Sequence, residues 1–479
     1  MPRLSFVVPA RAWKVTMCAV VSVAGAGAAL APSVPARADA PQGTITTAVG
    51  TIGDGGPAAN AFVAPKHGAV DAAGNIFVTE SNRVRKIAAG THIITTVVGN
   101  GFDGHSGDGG PAWDAAIKPN FVLVAGNGDL YISDSSSHRV RKVSAATGVI
   151  TTVVGTGVLG STGDGGQATA ATLNAPEGLA LDSAGNLFVA DSGSSKVRKV
   201  TVATGVISTY AGTGISGFNS DNVQATTAQL SVPIGLAIDP SNNLYIADSF
   251  NGRIRKVTAA TGVISTVAGT VSSGFDGDGT ANAKKLNRPQ QIAYSSNYIY
   301  VIDGLNHRLR RVSLISNSMF TLAGNGTASA TGDGGLASAA TLDYPKGVAV
   351  IGSTAYITDD SSTIRAVSGI GTATVTIDRF AGVGAPFAGD GGAATAAIVG
   401  GYLRFVTAPN GDLIIADGQN NRIRRVAAGV ITTIAGTGDY GYNGDGPALT
   451  RNIAPNSIAL DPAGNIYICL LYTSDAADE

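Results

Sequence analysis

Acidic residues recur along this chain at intervals regular enough to be read as one device. Glu80, Asp134, Asp191, Asp248, Asp303, Asp359 and Asp417 each close an apolar run that reads as a strand. A ring of carboxylates could hold a cation or act as an acid–base pair. Near-equivalent copies point instead to architecture, because catalysis needs asymmetry. An Asp at a strand end caps the following turn through its own backbone, so these seven read as structural turn carboxylates. A second series sits in Gly-Asp-Gly cores at Asp54, Asp108, Asp164, Asp278, Asp333, Asp390 and Asp445, with Asp221 in a degenerate copy. Small residues follow each core, so the expected role is to cap a short helical turn. The metal alternative is calcium at Asp276 and Asp278, where Asp-Gly-Asp-Gly resembles the start of a calcium loop. That stretch offers few side-chain oxygens and no distal Glu, whereas calcium takes about six to eight oxygens.

Arg85, Arg141, Arg198, Arg255, Arg310, Arg365 and Arg424 repeat in the same manner. They are expected to be solvated arginines paired with nearby carboxylates, each pair worth about 0–1 kcal/mol. Loop aromatics are the better binding candidates. Phe218, Phe275, Phe387 and Tyr442 each lie three residues before a loop Asp, and Trp113 follows the same core in the second copy. Aromatic faces gathered on one rim could stack on sugars or anchor a protein. Each ring could equally fold back to close its own loop.

The inventory for catalysis is thin. The histidines are His67, His92, His105, His138 and His307, and no pair has zinc-ligand spacing. Only His67, which stands where other copies place a Gly, is expected to look into a central channel. There is no G-x-S-x-G elbow and no Cys–His pair. Gly99-x-Gly101-x-x-Gly104 and its later copies match a dinucleotide fingerprint, but no long helix follows, so they read as repeated loop geometry. No catalytic residue and no cofactor other than calcium is assigned, and a non-enzymatic role is the expectation.

The elements that must position these residues come from one repeat of about 56 residues. Its third copy shows the unit. Gly178–Asp182 is a short apolar strand, a, and Leu187–Asp191 is strand b. Lys196–Val200 is strand c, alternating polar and apolar, and Val206–Tyr210 is strand d. Gly, Asn and Asp turns separate them, so each unit is a four-stranded antiparallel meander. Such a sheet buries both faces only by stacking radially against its neighbours. The fold class is therefore all-β, a β-propeller with seven full repeats and a truncated eighth, with six to eight blades per ring possible. An extra d strand at Thr44–Thr47 precedes the first a strand. It suggests one ring of eight, closed by pairing this strand with the last blade. With that blade cut before strand c, such a ring would be open at its seam.

Composition agrees. Gly numbers 65, charged residues are only 14%, and 32 basic residues balance 33 acidic ones. That balance excludes a strongly basic nucleic-acid binder and an acidic disordered tail. Residues 1–40 read as a signal peptide, with Arg3, Arg11 and Lys14 before an apolar stretch and Ala-x-Ala cleavage patterns after it. Residues 41–468 carry the repeats. Residues 469–479 break a repeat in mid-strand and read as a sequencing-adapter artefact replacing the true C-terminus. The expected location is secreted, cell-surface or periplasmic, by bacterial export.

Three stretches carry a family resemblance. They are the P-x-G-L-A-x-D text of Pro176–Asp182 and Pro233–Asp239, the strand text of Asn243–Asp248, and the N-x-R-I-R-K-V text of Asn251–Val257. The chain resembles the NHL-repeat β-propellers over roughly residues 43–468, and its GDGGPA-type loops resemble the long bacterial subgroup and the teneurin propeller. The resemblance implies the propeller fold and leaves the role open. The expected function is an exported binding or adhesion scaffold recognising an extracellular protein or polysaccharide through its Gly-rich loop rim. One alternative is a metal-dependent lyase or lactonase using the channel, visible as a blade that breaks the repeat with Glu, His or Asn. The other is the sensor ectodomain of a larger membrane protein.

Overall fold

Short strands split by tight turns form the expected meanders. A computed structural model of the protein describes residues 54–381, apart from Phe62 and Ser362, and most of residues 390–470. The expected signal peptide, residues 1–40, and the expected strand at Thr44–Thr47 fall outside the described residues. Blade three runs a (Pro176–Leu181), b (Leu187–Asp191), c (Lys196–Thr201) and d (Val206–Ala211), each pairing antiparallel with the next. Seven such sheets of four or five strands are present, followed by a two-stranded sheet of Pro455–Leu460 and Ile466–Leu470. Among the described residues no helix is long and apolar enough to cross a membrane.

The ring closes at six blades, which corrects the reading of a single ring of eight. At an ordinary joint, Thr79 Oγ1 of blade one donates to the carbonyl of Asn120 in blade two at 3.0 Å. Thr358 Oγ1 of blade six donates in the same way to the carbonyl of Lys66 in blade one at 2.9 Å. Ile364 and Ala381 of blade six share a buried core with Ala58, Ala61, Val63 and Ile76 of blade one. The seam between first and last blade is thus an ordinary joint among the described residues. Residues from 394 onward have their own cores, such as Ile414, Ala416, Ile423, Ala435 and Ile453. The open seam expected from the strand count is therefore not found between blades six and one. Pairing in the last sheet runs on through Cys469 and Leu470.

The repeated arginines are fully buried, against the solvated expectation. Both faces of a propeller sheet pack on neighbouring blades, so this position of strand c is covered, while the basic residue after it, such as Lys142, stays partly exposed. Each guanidinium lies 2.5–3.1 Å from the loop Asp of its own repeat, Asp54 through Asp390. In five blades it also faces the strand-b carboxylate, at 3.3–3.6 Å. The loop Asp residues therefore do not cap the short 3-10 turns, none of which has a side-chain cap bond where it follows a described loop. They hold the loop to the sheet, helped by Thr152 Oγ1 on Asp108 and Thr209 Oγ1 on Asp164, each at 2.6 Å.

The strand-b carboxylates also reach further than their own turn. Asp191 accepts the backbone N–H of Asn174 at 2.6 Å, Asp248 that of Ser231 and Asp303 that of Asn287, each at 2.7 Å. Asp359, which accepts from Ser361 at 3.2 Å, does cap its own turn. Burial pushes Asp191, Asp248 and Asp303 up to about 6, against the pull of these bonds and of the guanidinium. Each of the three clamps the segment that leads into strand a of its blade, and so fixes what that segment carries to the ring axis.

Candidate functional site

Six innermost strands start around the axis with the same local text, Pro followed by one variable residue. Those variable residues are Lys66, Asn120, Glu177, Ile234, Gln290 and Lys346, one from each blade. All six line a single cavity of about 370 Å³ at the channel mouth. Equivalent backbone positions have become six chemically different groups, and that asymmetry is what the rest of the repeat lacks.

The floor is set one residue further on. There the strands nearly touch: a Cβ on Gly178 would lie 2.1 Å from the carbonyl oxygen of Ile234, and one on Gly235 would lie 2.6 Å from that of Gln290. No side chain fits at those two points. Blades one, two and five instead carry His67, Phe121 and Gln291, all buried. The His67 ring packs on Phe121 with centroids 4.1 Å apart, and Gln291 Oε1 accepts the backbone N–H of Val348 at 2.9 Å. Below this plug, strand-a aliphatics such as Val70, Leu123 and Ile238 line a second, apolar cavity of about 300 Å³.

Electrostatics at the mouth are distinctive. Burial pushes the Glu177 carboxyl up to about 7, although the Asn120 amide donates to it and Lys66 lies near. Burial, with Lys118 and Lys346 adding like charge, holds the Lys66 ammonium below its ordinary value. Burial also lowers His67 to about 3, so its imidazole is neutral, and its Nδ1 has no hydrogen-bond partner among the described residues. Lys346 is ion-paired with Asp360, whereas Lys66 has no ion-pair partner among the described residues. Tyr344 stands at the wall, 47% exposed, with its ring edge-on to His307.

The rim aromatics behave differently. The Phe275 ring lies under the Arg308 guanidinium at 3.7 Å, and Phe218 under that of Arg253 at 4.0 Å. Each folds back on its own blade. Trp113 is 63% exposed on its short turn. Phe387 and Tyr442 lie outside the described residues. Asp278 accepts from Arg310 and from Thr321, and Asp276 from the backbone of Lys285. A guanidinium already occupies the side from which calcium would approach Asp278. No group of three or more metal-ligating side chains occurs among the described residues.

The comparisons with known proteins agree with this architecture. The family model for the NHL repeat matches residues 173–200. NHL repeat-containing protein 2 of Bos taurus is 27% identical over 267 residues, 49% of this chain and 37% of that protein. Teneurin-3 of Mus musculus is 29% identical over 209 residues, 40% of this chain and 7% of that protein. Residues 173–200 carry an NHL repeat, and the chain is a β-propeller similar to NHL-repeat proteins. It spans less than half the length of either curated relative. Among solved structures, an auxiliary nutrient binding protein from Bacteroides thetaiotaomicron superposes with a TM-score of 0.46. That match has 15% identity and covers 66% of this chain and 69% of the other.

Within this propeller, sequence reasoning reached His67 but missed Lys66, Asn120, Glu177, Gln290 and Lys346. The signal was present. In the Pro-x-Gly text the x position varies while its neighbours repeat, and three of six copies replace the Gly itself.

Proposed function

We propose that this protein is an exported binding propeller whose recognition centre is the channel mouth, rather than the Gly-rich loop rim. What carries the reading is the asymmetric ring of Lys66, Asn120, Glu177, Ile234, Gln290 and Lys346 around one cavity. A concave site with a few convergent polar groups and perturbed titrations is the usual form of a small-ligand pocket. The rim aromatics support it from the other side, since Phe218 and Phe275 are engaged with arginines of their own blades. Export rests on the pattern of residues 1–40. One observation favours an enzymatic second reading. A Glu held near 7 can give and take a proton at neutral pH, as a lyase or lactonase requires.

The test is a glycan and metabolite screen by thermal shift on the full chain. Two variants are compared: Lys66→Ala with Glu177→Gln at the mouth, and Trp113→Ala with Phe102→Ala, a second exposed aromatic in the Gly-rich loop before the same Gly-Asp-Gly core, at the rim. Hits should vanish in the first variant and persist in the second. The reverse pattern would overturn the mouth reading. Turnover of a hit, lost in Glu177→Gln alone, would favour the enzyme.

A further inference from the structure

The charges of the mouth narrow the class of ligand. Two lysines from adjoining blades face the cavity, and one is already neutralised, since Lys346 is ion-paired with Asp360. The other, Lys66, is half-buried and has no ion-pair partner among the described residues. A partly desolvated ammonium with no carboxylate at ion-pair distance is costly, and a ligand anion would relieve it. The anion should carry a single charge. Glu177 shares the cavity and, when ionised, would repel a dianion such as phosphate more than a monoanion.

The remaining lining describes the body of the ligand. The Asn120 and Gln290 amides and the Glu177 carboxyl offer donors and acceptors around the ring, suited to several hydroxyls rather than to an aliphatic chain. On one wall the half-exposed Tyr344 ring stands with Pro345 and Leu305, an apolar surface for the C–H face of a pyranose. A cavity of about 370 Å³ has room for one or two sugar rings.

We propose that the mouth binds a carboxylate-bearing sugar, a uronic acid residue, with its carboxylate on Lys66 Nζ and its ring against Tyr344. The proposal rests on the mouth being the binding site, and its test separates the two.

Titration calorimetry on the full chain would compare methyl glucuronide and methyl galacturonide with methyl glucoside and methyl galactoside, with acetate and inorganic phosphate as controls. At least one uronide should bind about tenfold or more tighter than its neutral parent, the scale of one charge-assisted hydrogen bond. Lys66→Met should abolish that preference, and Lys66→Arg should retain it. Unchanged melting of both variants would confirm that they fold. Equal binding of acidic and neutral glycosides, lost on Tyr344→Ala, would overturn the uronate inference and leave the mouth reading standing. Binding of phosphate or acetate without any sugar would overturn the sugar class. A uronide preference that survives Lys66→Met would overturn the assignment of the carboxylate to Lys66.

Discussion

Removing one buried guanidinium should cost far more than the same change on a surface. Arg198 is fully buried, with Nε at 3.0 Å and Nη2 at 2.5 Å from Asp164, and Nη1 3.6 Å from Asp191. Its two carboxylates differ in what they can do once the cation is gone. The Asp164 side chain is 43% exposed and can return to water, whereas that of Asp191 is 0% exposed and cannot. Breaking a buried pair from one side costs about 3–5 kcal/mol, mainly as the uncompensated charge left behind. Arg198→Met should therefore lower unfolding stability by about 3–5 kcal/mol. Asp164→Asn alone, which leaves the cation facing Asp191, should cost about 1 kcal/mol. Adding Asp191→Asn to Arg198→Met should recover much of the loss, because an amide needs no counter-charge. The Asp191 carboxyl is already held up at about 6, so the deficit of Arg198→Met should shrink as pH falls through that value. Urea unfolding followed by far-UV circular dichroism at pH 8 and pH 5 measures all of this. A loss under about 1 kcal/mol at pH 8, typical of an exposed pair, would refute the buried-clamp reasoning.

Two further outcomes are expected. Gly178→Ala places a methyl 2.1 Å from the Ile234 carbonyl oxygen and should force blades three and four apart, costing about 1–3 kcal/mol in the same assay. Glu177 has a folded value near 7 against 4.5 for the ordinary carboxyl, so the folded protein keeps a proton that the unfolded chain has lost between those values. Its contribution to stability falls as pH rises from about 4.5 to about 7, and Glu177→Gln should gain on the wild type at pH 8 relative to pH 5.

How much of this was legible follows from how each feature is encoded. The blade was readable because Gly, Asn and Asp turns and period-two strands repeat many times, and local chemistry fixes a meander. Ring size was not, since counting strands gives the number of units in the chain and not where two edges meet. That depends on joints such as Thr358 to Lys66, which lie 292 residues apart. The arginines were misread because Lys196–Val200 alternates like a half-exposed strand, a pattern that assumes one face in water. In a propeller the neighbouring blade covers that face, and Asp164 and Asp191 make the burial tolerable. The mouth was missed for the opposite reason. Attention went to residues that recur, whereas Lys66, Asn120 and Glu177 occupy equivalent positions with different chemistry, which is where a symmetric scaffold acquires a site.

The central claim is that recognition occurs at the channel mouth. Hydrogen–deuterium exchange of the full chain, with and without an oligouronide mixture, tests it most directly. The account expects protection confined to the segments carrying Lys66, Asn120, Glu177, Gln290 and Lys346, with the loops around Phe102, Trp113 and Ile215 unchanged. Protection of those loops with the mouth segments unchanged would contradict it.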